Sequence, residues 1–447
     1  MQKGVGSIHR QILRLAVPSI LANITIPLVG LVDTAIVGHI ADVAAIGGIA
    51  IGTMLFDLLY WNFGFLRVGT SGLTAQAYGR AVQQDVVGVS EACASLLKRS
   101  LRVALIGALG CIAIQWLFVK GVLLLVPCSV EVADFATRYF FVRIWAAPAT
   151  LSLMALKGWF IGMQDTVSPM ATDILVNVVN IVASYGLAVC TSLCGIGVAW
   201  GTLIAQYAGL LLALGIVLWK YRVRVRPWRT AQKESVRDTS LFRLNSQLFV
   251  RSLCFMVVYV GFTALASKYG DTELAVASIM MKLFMLFSYF VDGFAYAGEA
   301  LVGKSFGQHR PSNVRPLVRN LLLWSLGVGG VFTVLYAFWG NECVGLLTDE
   351  TAVLQGAVPY MGWLIAMPVV SALAFMWDGV FVGAAAGKEI RDAMLWAAVA
   401  FVVGYVLFAR IWGVQALYVG YFAHLIVRVL YLGVKWTDIA EGVVRQV

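Results

Sequence analysis

Long apolar runs constrain this chain more than any other feature of its sequence. Twelve stretches, each near or above the length of a membrane span, follow one another and are separated by connectors that carry charges and turn residues. A helix needs about 20 apolar residues to cross the hydrocarbon of a bilayer. Only 13% of the residues are charged, too few for the surface of a soluble fold. We therefore expect an all-α membrane protein with twelve transmembrane helices, embedded in the lipid bilayer, rather than a membrane β-barrel.

The connectors predict the orientation. The twelve predicted spans are 12–37, 44–67, 98–120, 136–163, 169–190, 196–219, 247–268, 273–299, 317–340, 354–384, 393–410 and 412–434. Twenty Lys and Arg residues lie in connectors or in the adjoining parts of spans on the side of the N-terminus, but only Lys120, Lys268 and Arg410 lie so on the opposite side. Because cytoplasmic loops are rich in Lys and Arg, both termini are expected in the cytoplasm and the protein in the plasma (inner) membrane. The net charge of +10 then reflects topology, so no nucleic-acid partner is needed.

Two further features fit a chain that stays in the membrane. The apolar run after Arg14 has no convincing cleavage site, which favours a first helix over a removed signal peptide. The seven cysteines lie mostly in apolar runs and predict packing residues rather than disulfides or a metal site.

The chain divides into two halves of six spans each. Its longest polar stretch, Lys220–Asn245, predicts a cytoplasmic linker over residues 220–245 between lobes 1–219 and 246–447. Since six spans return the chain to the same side, two such units form a parallel internal repeat.

Matching motifs support that repeat. The glycine-rich segment Gly64–Gly79, which follows the second span, resembles Gly293–Gly307 in the other half. Gly158–Gly162 in the fourth span resembles Gly379–Gly383 in the tenth. The motifs recur in the same order, which indicates a duplicated six-helix unit.

A carboxylate inside the first span is the strongest candidate for a functional residue. Asp33 lies six residues after Pro27, which can kink the helix. A charged side chain at the bilayer centre costs about 2.5–3.5 kcal/mol, so such residues face a cavity or the bundle interior. Asp33 can therefore exchange a proton during function; the alternative is a structural hydrogen-bond acceptor near the outer interface.

The fifth span carries a polar stripe. Asp173, Asn177, Asn180 and Ser184 are spaced 4, 3 and 4 residues apart and share one helix face. The stripe predicts either the lining of a polar or ion site or hydrogen bonding between helices. Thr202 in the sixth span offers a further hydroxyl group.

The second half has its own polar positions. Ser288, Asp292, Tyr296 and Glu299 form a comparable stripe in the eighth span, and Asp378 lies in the tenth. Glu299 can instead be hydrated or paired with Lys304 near the helix end. The residues that we expect to line a substrate cavity are Pro27, Val29, Gly30, Asp292, Tyr296, Glu299 and Asp378.

Motifs for other functions are absent from the sequence. It has no GxxxxGK[ST], HExxH or GxSxG motif and no Cys-His metal spacing, so no catalytic residue, metal ligand or cofactor is expected. A major-facilitator transporter would also have two six-helix halves, but its loop signature is missing after the second span. A membrane-embedded enzyme is the alternative from a different class. If the protein is a transporter, an ion gradient supplies the energy.

Several segments together resemble one family. PLVGLVDTAIVGH, the Gly64–Gly79 segment, GWFIGMQDT and WDGVFVGA are similar to motifs of the multidrug and toxic compound extrusion family, in the branch of DNA-damage-inducible protein F. The resemblance runs through nearly the whole chain. It implies two six-helix lobes around a central cavity and export of drugs or toxins in exchange for protons or sodium.

The resemblance also implies roles for single residues. Asp33 matches the family's first-helix acid, Asn180 its fifth-helix Asn and Thr202 its sixth-helix Thr, while Asp378 resembles an acid of the NorM branch. Many relatives carry an Asp where this chain has Ser184, which weakens a sodium site. We therefore predict ion coupling through Asp33, Asn177, Asn180, Ser184 and Thr202, with protons as the coupling ion.

The sequence thus predicts a monomeric antiporter that exports amphipathic, often cationic, small molecules. Sodium coupling remains an alternative. Another is a flippase for lipids or lipid-linked precursors from the same superfamily, which a cavity lined by several Arg and Lys residues would favour.

Overall fold

Helices and turns make up the described chain. The structure is a computed structural model that describes residues 7–25, 43–86, 89–124, 126, 128–191, 193, 195–222, 238–309 and 311–445. Its α-helices are α1 (7–25), α2 (Val43–Trp61), α3 (Phe65–Gln83), α4 (Glu91–Leu123), α5 (Val130–Arg143), α6 (Ala147–Gly162), α7 (Val167–Val189), α8 (Gly195–Trp219), α9 (Asp238–Ala266), α10 (Asp271–Gly307), α11 (Pro311–Gly345), α12 (Thr351–Ala357), α13 (Met361–Gly383), α14 (Gly387–Trp412) and α15 (Gln415–Arg445). Short 3-10 turns join α5 to α6, α9 to α10 and α12 to α13.

The helices confirm the all-α membrane architecture. Eleven stretches of the described residues are long and apolar enough to cross a bilayer, and each overlaps one predicted span from the second to the twelfth. The first predicted span, 12–37, is described only as far as residue 25, where it is helical.

The predicted end of the second span at residue 67 is wrong, because the membrane-length stretch runs from Gly47 to Gln83. After α2 the chain makes a three-residue turn at 62–64 and re-enters a helix, α3, that includes the rest of the Gly64–Gly79 motif. Its hydroxyl-bearing residues Thr70, Ser71 and Thr74 are buried, so polar composition here marks a helix–helix contact and not a loop. The corresponding motif Gly293–Gly307 forms the end of α10.

Two compact units are present. One comprises Leu21–Asp238, and the other comprises Thr239–Val447 together with the described part of Met1–Ile20. The start of α1 therefore packs with the second half: a Cβ added to Gly293 would lie 2.4 Å from Ile20 Cγ1. These bounds differ from the expected lobes 1–219 and 246–447. Helix α9 begins at Asp238, inside the expected linker 220–245.

In the unit formed by Leu21–Asp238, the motifs Gly64–Gly79 and Gly158–Gly162 pack against each other. A Cβ added to Gly158 on α6 would lie 2.2 Å from the carbonyl oxygen of Arg67 on α3. One added to Gly162 would lie 2.5 Å from Thr74 Cβ. Only glycine allows the two backbones to approach so closely.

The other unit repeats this contact. A Cβ added to Gly379 on α13 would lie 2.5 Å from the carbonyl oxygen of Ala295 on α10, and one added to Gly383 would lie 2.8 Å from that of Glu299. The sequence repeats therefore correspond to the same packing of helices, α3 with α6 and α10 with α13.

The ends of α6 and α13 repeat as well. Gln164 and Ala385 have positive φ angles of 63° and 54°. In each case the next amide donates to the carbonyl group five residues back, at 2.9 Å for Asp165 to Phe160 and for Ala386 to Phe381. This is the Schellman arrangement that ends many helices, and its recurrence indicates that the duplication extends to backbone conformation.

Candidate functional site

The polar stripe of the fifth predicted span lies on α7 and packs against α8. Small residues of α8 bring its backbone close to the stripe: a Cβ added to Gly201 would lie 2.3 Å from Ser184 Oγ, and one added to Gly197 would lie 2.7 Å from the amide nitrogen of Ala188. Asn180 and Ser184 are buried at this contact. We call Asn177, Asn180, Ser184 and Thr202 the α7–α8 polar seam.

The structure brings Asn180 and Thr202 together. Asn180 Nδ2 donates a hydrogen bond of 3.0 Å to Thr202 Oγ1, and this hydroxyl donates to the carbonyl oxygen of Val198 at 3.1 Å. The chain of bonds fixes the orientation of the Asn180 amide.

Two polar atoms of the seam have unused bonding capacity. Asn180 Oδ1 and Ser184 Oγ are both buried and have no hydrogen-bond partner within the described protein. Leaving a buried acceptor unsatisfied costs about 1–3 kcal/mol, so such atoms call for an explanation. They can accept a hydrogen bond or contribute neutral oxygen ligands to a cation.

Asn177 connects the seam to the first helix. Its Nδ2 atom donates a hydrogen bond of 2.6 Å to Thr25 Oγ1, and the Thr25 hydroxyl donates to the carbonyl oxygen of Ala22 at 2.7 Å. Thr25 is the last described residue before a gap that ends at residue 42. Predicted site residues Pro27, Val29, Gly30 and Asp33 lie outside the described residues.

Asp173, the remaining member of the stripe, has a different environment. Its carboxylate forms an ion pair with Lys157 of α6. The charge of Asp173 is therefore already compensated within the unit, while the seam itself consists of neutral side chains.

The turn between α6 and α7 holds a second, half-buried carboxylate. Asp165 Oδ2 accepts hydrogen bonds from Lys220 Nζ at 2.7 Å, Ser168 Oγ at 2.5 Å and Tyr221 OH at 2.6 Å. Burial alone would raise the pKa of Asp165, but these hydrogen bonds outweigh it and lower the pKa. Burial and the adjacent carboxylate raise the pKa of Tyr221, so the phenol keeps the proton that it donates. The cluster ties the end of α8 to this turn.

The predicted polar positions of the second half occupy two different environments. On α10, Asp292 and Tyr296 are half-buried and Glu299 is buried. Asp378 on α13 is instead engaged by arginines from α9 and α15. Arg251 Nη2 donates to Asp378 Oδ2 at 2.5 Å, and Arg428 Nη2 donates to the same oxygen at 2.8 Å.

Further contacts hold Arg428 in place. The guanidinium carbon lies 5.5 Å from the centre of the Phe375 ring, within reach of a cation–π interaction. Its Nη1 atom lies 3.5 Å from Nε2 of His424, which is also buried. We call Arg251, Asp378, Arg428 and His424 the arginine cluster. Two guanidinium groups on one carboxylate make Asp378 a poor ligand for a further cation.

Sequence reasoning overlooked both arginines, although a signal was present. Arg251 and Arg428 lie inside the seventh and twelfth predicted spans, where a charged side chain is as costly as Asp33 in the first.

The chain is similar to a defined family of proteins. The MatE family model matches residues 18–186 and 248–409, once in each half. DNA damage-inducible protein F of Escherichia coli (strain K12) is 34% identical over 427 residues, which cover 94% of this chain and 90% of that protein. Multidrug and toxin extrusion protein 1 of Danio rerio is 22% identical, with 94% of this chain and 70% of that protein covered.

Solved structures share the fold. A MOP-superfamily transporter from Pyrococcus furiosus superposes with a TM-score of 0.85 at 15% identity, covering 98% of this chain and 96% of that one. The Vibrio cholerae MATE transporter VcmN in its bent form gives 0.84 at 16% identity, with 98% of each chain covered. Because members of the family are transporters and not enzymes, the membrane-enzyme alternative is set aside. The chain therefore belongs to the MatE family and is a multi-pass membrane transporter of the multidrug and toxin extrusion type.

Proposed function

We propose that this transporter exports amphipathic, often cationic, small molecules in exchange for protons, with Asp33 as the group that binds and releases the proton. The observation that carries the proposal is the neutrality of the α7–α8 polar seam. Asn177, Asn180, Ser184 and Thr202 offer amide and hydroxyl groups, and Asp173 is compensated by Lys157. Within this set, the titrating charge has to come from elsewhere, and Asp33 is the candidate from the sequence.

The same neutrality favours protons over sodium. A sodium ion in a dehydrated site is best held by several oxygens that include carboxylates, because charge replaces the lost hydration. Ser184 contributes only a hydroxyl group. A proton needs no such cage, since a single carboxyl group binds it covalently and the seam oxygens can accept its hydrogen bond.

The bond between Asn177 and Thr25 supports a coupling between protonation of Asp33 and the conformation of the helices. It links α7 to the end of the described part of α1, eight residues before Asp33. In the proposed cycle, Asp33 loses its proton when the cavity faces inward and substrate binds. Protonation from outside then favours substrate release, which gives the two states the different affinities that alternating access requires.

The relatives support the substrate class. Their names describe multidrug and toxin extrusion, and we extend that activity to this chain. We also propose that it acts as a monomer in the plasma membrane with both termini in the cytoplasm, on the basis of its connector charges.

The proposal can be tested with purified protein in proteoliposomes. Uptake of ethidium would be measured under a proton gradient and, separately, under a sodium gradient, for the wild type, Asp33→Asn and the control Asp134→Asn. Asp134 is an exposed acid paired with Arg138 on α5, so the control makes the same chemical change outside the seam. We expect proton-driven uptake to fall at least tenfold in Asp33→Asn alone. Undiminished uptake by that variant would refute the role of Asp33. Sodium-driven uptake by the wild type would refute protons as the coupling ion.

A further inference from the structure

The arginine cluster holds more positive than negative charge. Guanidinium groups remain charged at every relevant pH, so Arg251 and Arg428 contribute two charges against the single carboxylate of Asp378. Arg428 is buried, with 1% of its side chain exposed, and Arg251 is 22% exposed. A buried excess charge is costly unless another anion compensates it.

The hydrogen-bonding pattern leaves room for that anion. Each arginine donates to Asp378 through one Nη atom only, and both bonds end on the same oxygen. The Nε atoms of Arg251 and Arg428 are buried and have no partner within the described protein. Guanidinium groups bind carboxylates and phosphates best through two parallel bonds, and neither guanidinium makes such a pair here.

We propose that Arg251 and Arg428 form a binding site for the anionic group, carboxylate or phosphate, of an amphipathic ligand. Arg251 is the partly exposed member and receives the ligand oxygens. Arg428 retains its hydrogen bond to Asp378. The carboxylate of Asp378 and the anionic group of the ligand then balance the two guanidinium charges. Phe375 and His424 hold Arg428 in position and do not contact the ligand. The proposal extends the ligands of this protein to anionic or zwitterionic compounds and does not depend on the coupling ion.

A purely structural clamp between α9, α13 and α15 predicts a different response from an anion site. If the cluster only holds these helices together, removing the Asp378 charge gives no gain in affinity for an anion. If it is an anion site, Asp378 competes with the ligand for the guanidinium groups. The substitution Asp378→Asn then strengthens anion binding.

Two dyes with the same ring system provide suitable probes. Fluorescein is an anionic xanthene and pyronin Y a cationic one, so their comparison separates charge from ring stacking. Binding would be measured by fluorescence polarisation to the full chain in phosphatidylcholine nanodiscs, without any ion gradient. The variants are Arg251→Gln, Arg251→Lys and Asp378→Asn, with Arg391→Gln as the control. Arg391 is a half-buried arginine of the same unit that pairs with Asp392.

We expect Arg251→Gln to bind fluorescein at least tenfold more weakly and pyronin Y no more weakly than the wild type. Arg251→Lys should bind fluorescein with intermediate affinity, because lysine keeps the positive charge but lacks the paired N–H donors of a guanidinium group. Asp378→Asn should bind fluorescein more tightly than the wild type. Equal fluorescein binding by wild type and Arg251→Gln, or an equal loss in Arg391→Gln, would overturn the proposal. Should Asp378→Asn fail to fold, the two Arg251 variants decide, since both leave the pair of Arg428 and Asp378 intact.

A second lipid composition distinguishes a lipid phosphate from a soluble anion as the ligand. In nanodiscs that contain phosphatidylglycerol, a lipid phosphate at the site would compete with fluorescein in the wild type and not in Arg251→Gln. Unchanged wild-type affinity in those nanodiscs would assign the site to a soluble anion. Either result depends on the loss in Arg251→Gln having been observed first.

Discussion

Gly158 on α6 lies against the carbonyl oxygen of Arg67 on α3, and an added Cβ would come within 2.2 Å of that oxygen. The obstacle is backbone and not a flexible side chain, so it cannot move aside without shifting a helix. The same relationship recurs between Gly379 and Ala295 in the other unit. Replacing either glycine by alanine therefore tests the same helix–helix contact in each copy of the repeat.

Gly158→Ala should destabilise the protein by about 1–3 kcal/mol or more, because it forces the two helices apart. Thermal unfolding of the purified protein measures the effect. Gly215→Ala on α8 is the control, since a Cβ there meets nothing within 4 Å, and alanine in place of glycine in an open helix position is neutral or stabilising. Equal stabilities of the two variants would contradict the packing described here.

Ser184→Ala should separate stability from transport. The hydroxyl is buried without a partner in the described chain, so its removal should leave the free energy of unfolding unchanged or raise it by up to about 1 kcal/mol. If the seam serves proton coupling, proton-driven ethidium transport should fall severalfold in the same variant. Loss of stability together with unchanged transport would argue for a structural hydroxyl group only.

Thr25→Val removes the acceptor of the Asn177 hydrogen bond. We expect proton-driven transport to fall while stability drops by only about 1 kcal/mol, because a single neutral hydrogen bond is lost. Thr137→Val is the matched control: the Thr137 hydroxyl donates to the carbonyl oxygen of Ala133 within α5. If both valine variants transport alike, the link between α7 and α1 has no role in coupling.

Asp378 and Arg428 should be strongly coupled energetically. Asp378→Asn leaves two guanidinium groups without their carboxylate, so it should cost about 3–5 kcal/mol. Arg428→Gln should cost less, because Asp378 keeps its pair with Arg251. The double variant should cost clearly less than the sum of the two. A double-mutant cycle from equilibrium unfolding measures the difference, and additive effects would show that the pair contributes little.

Asp165 should make stability depend on pH. The pKa of Asp165 is lowered below its ordinary value of 3.8, so the folded state binds this proton less readily than the unfolded state. The stabilisation is therefore present above pH 3.8 and is lost as the pH falls through the lowered pKa. Asp165→Asn should cost about 2 kcal/mol at neutral pH and progressively less in acid. Unfolding curves of both proteins across this range test the sign.

Much of the architecture could be predicted from local sequence because membrane helices are specified by apolar length. The periodicity that placed Asn177, Asn180 and Ser184 on one face required no tertiary information, since it follows from 3.6 residues per turn. The predicted end of the second span at residue 67 was wrong because it did require tertiary information. A polar, glycine-rich helix such as α3 is stabilised by the helix that it packs against, and local composition does not contain that information.

The sequence by itself determined the membrane class, the spans, the repeated motifs, and the residues that break the apolar pattern, including Asp33, Asn180 and Asp378. Only the tertiary structure decided which of these groups meet. It joined Asn180 to Thr202 across 22 positions of the chain and Asp378 to Arg251 across 127. Electrostatic and hydrogen-bonding partners depend on distance in space, and a buried carboxylate changes its chemistry according to whether a hydroxyl or two guanidinium groups stand beside it.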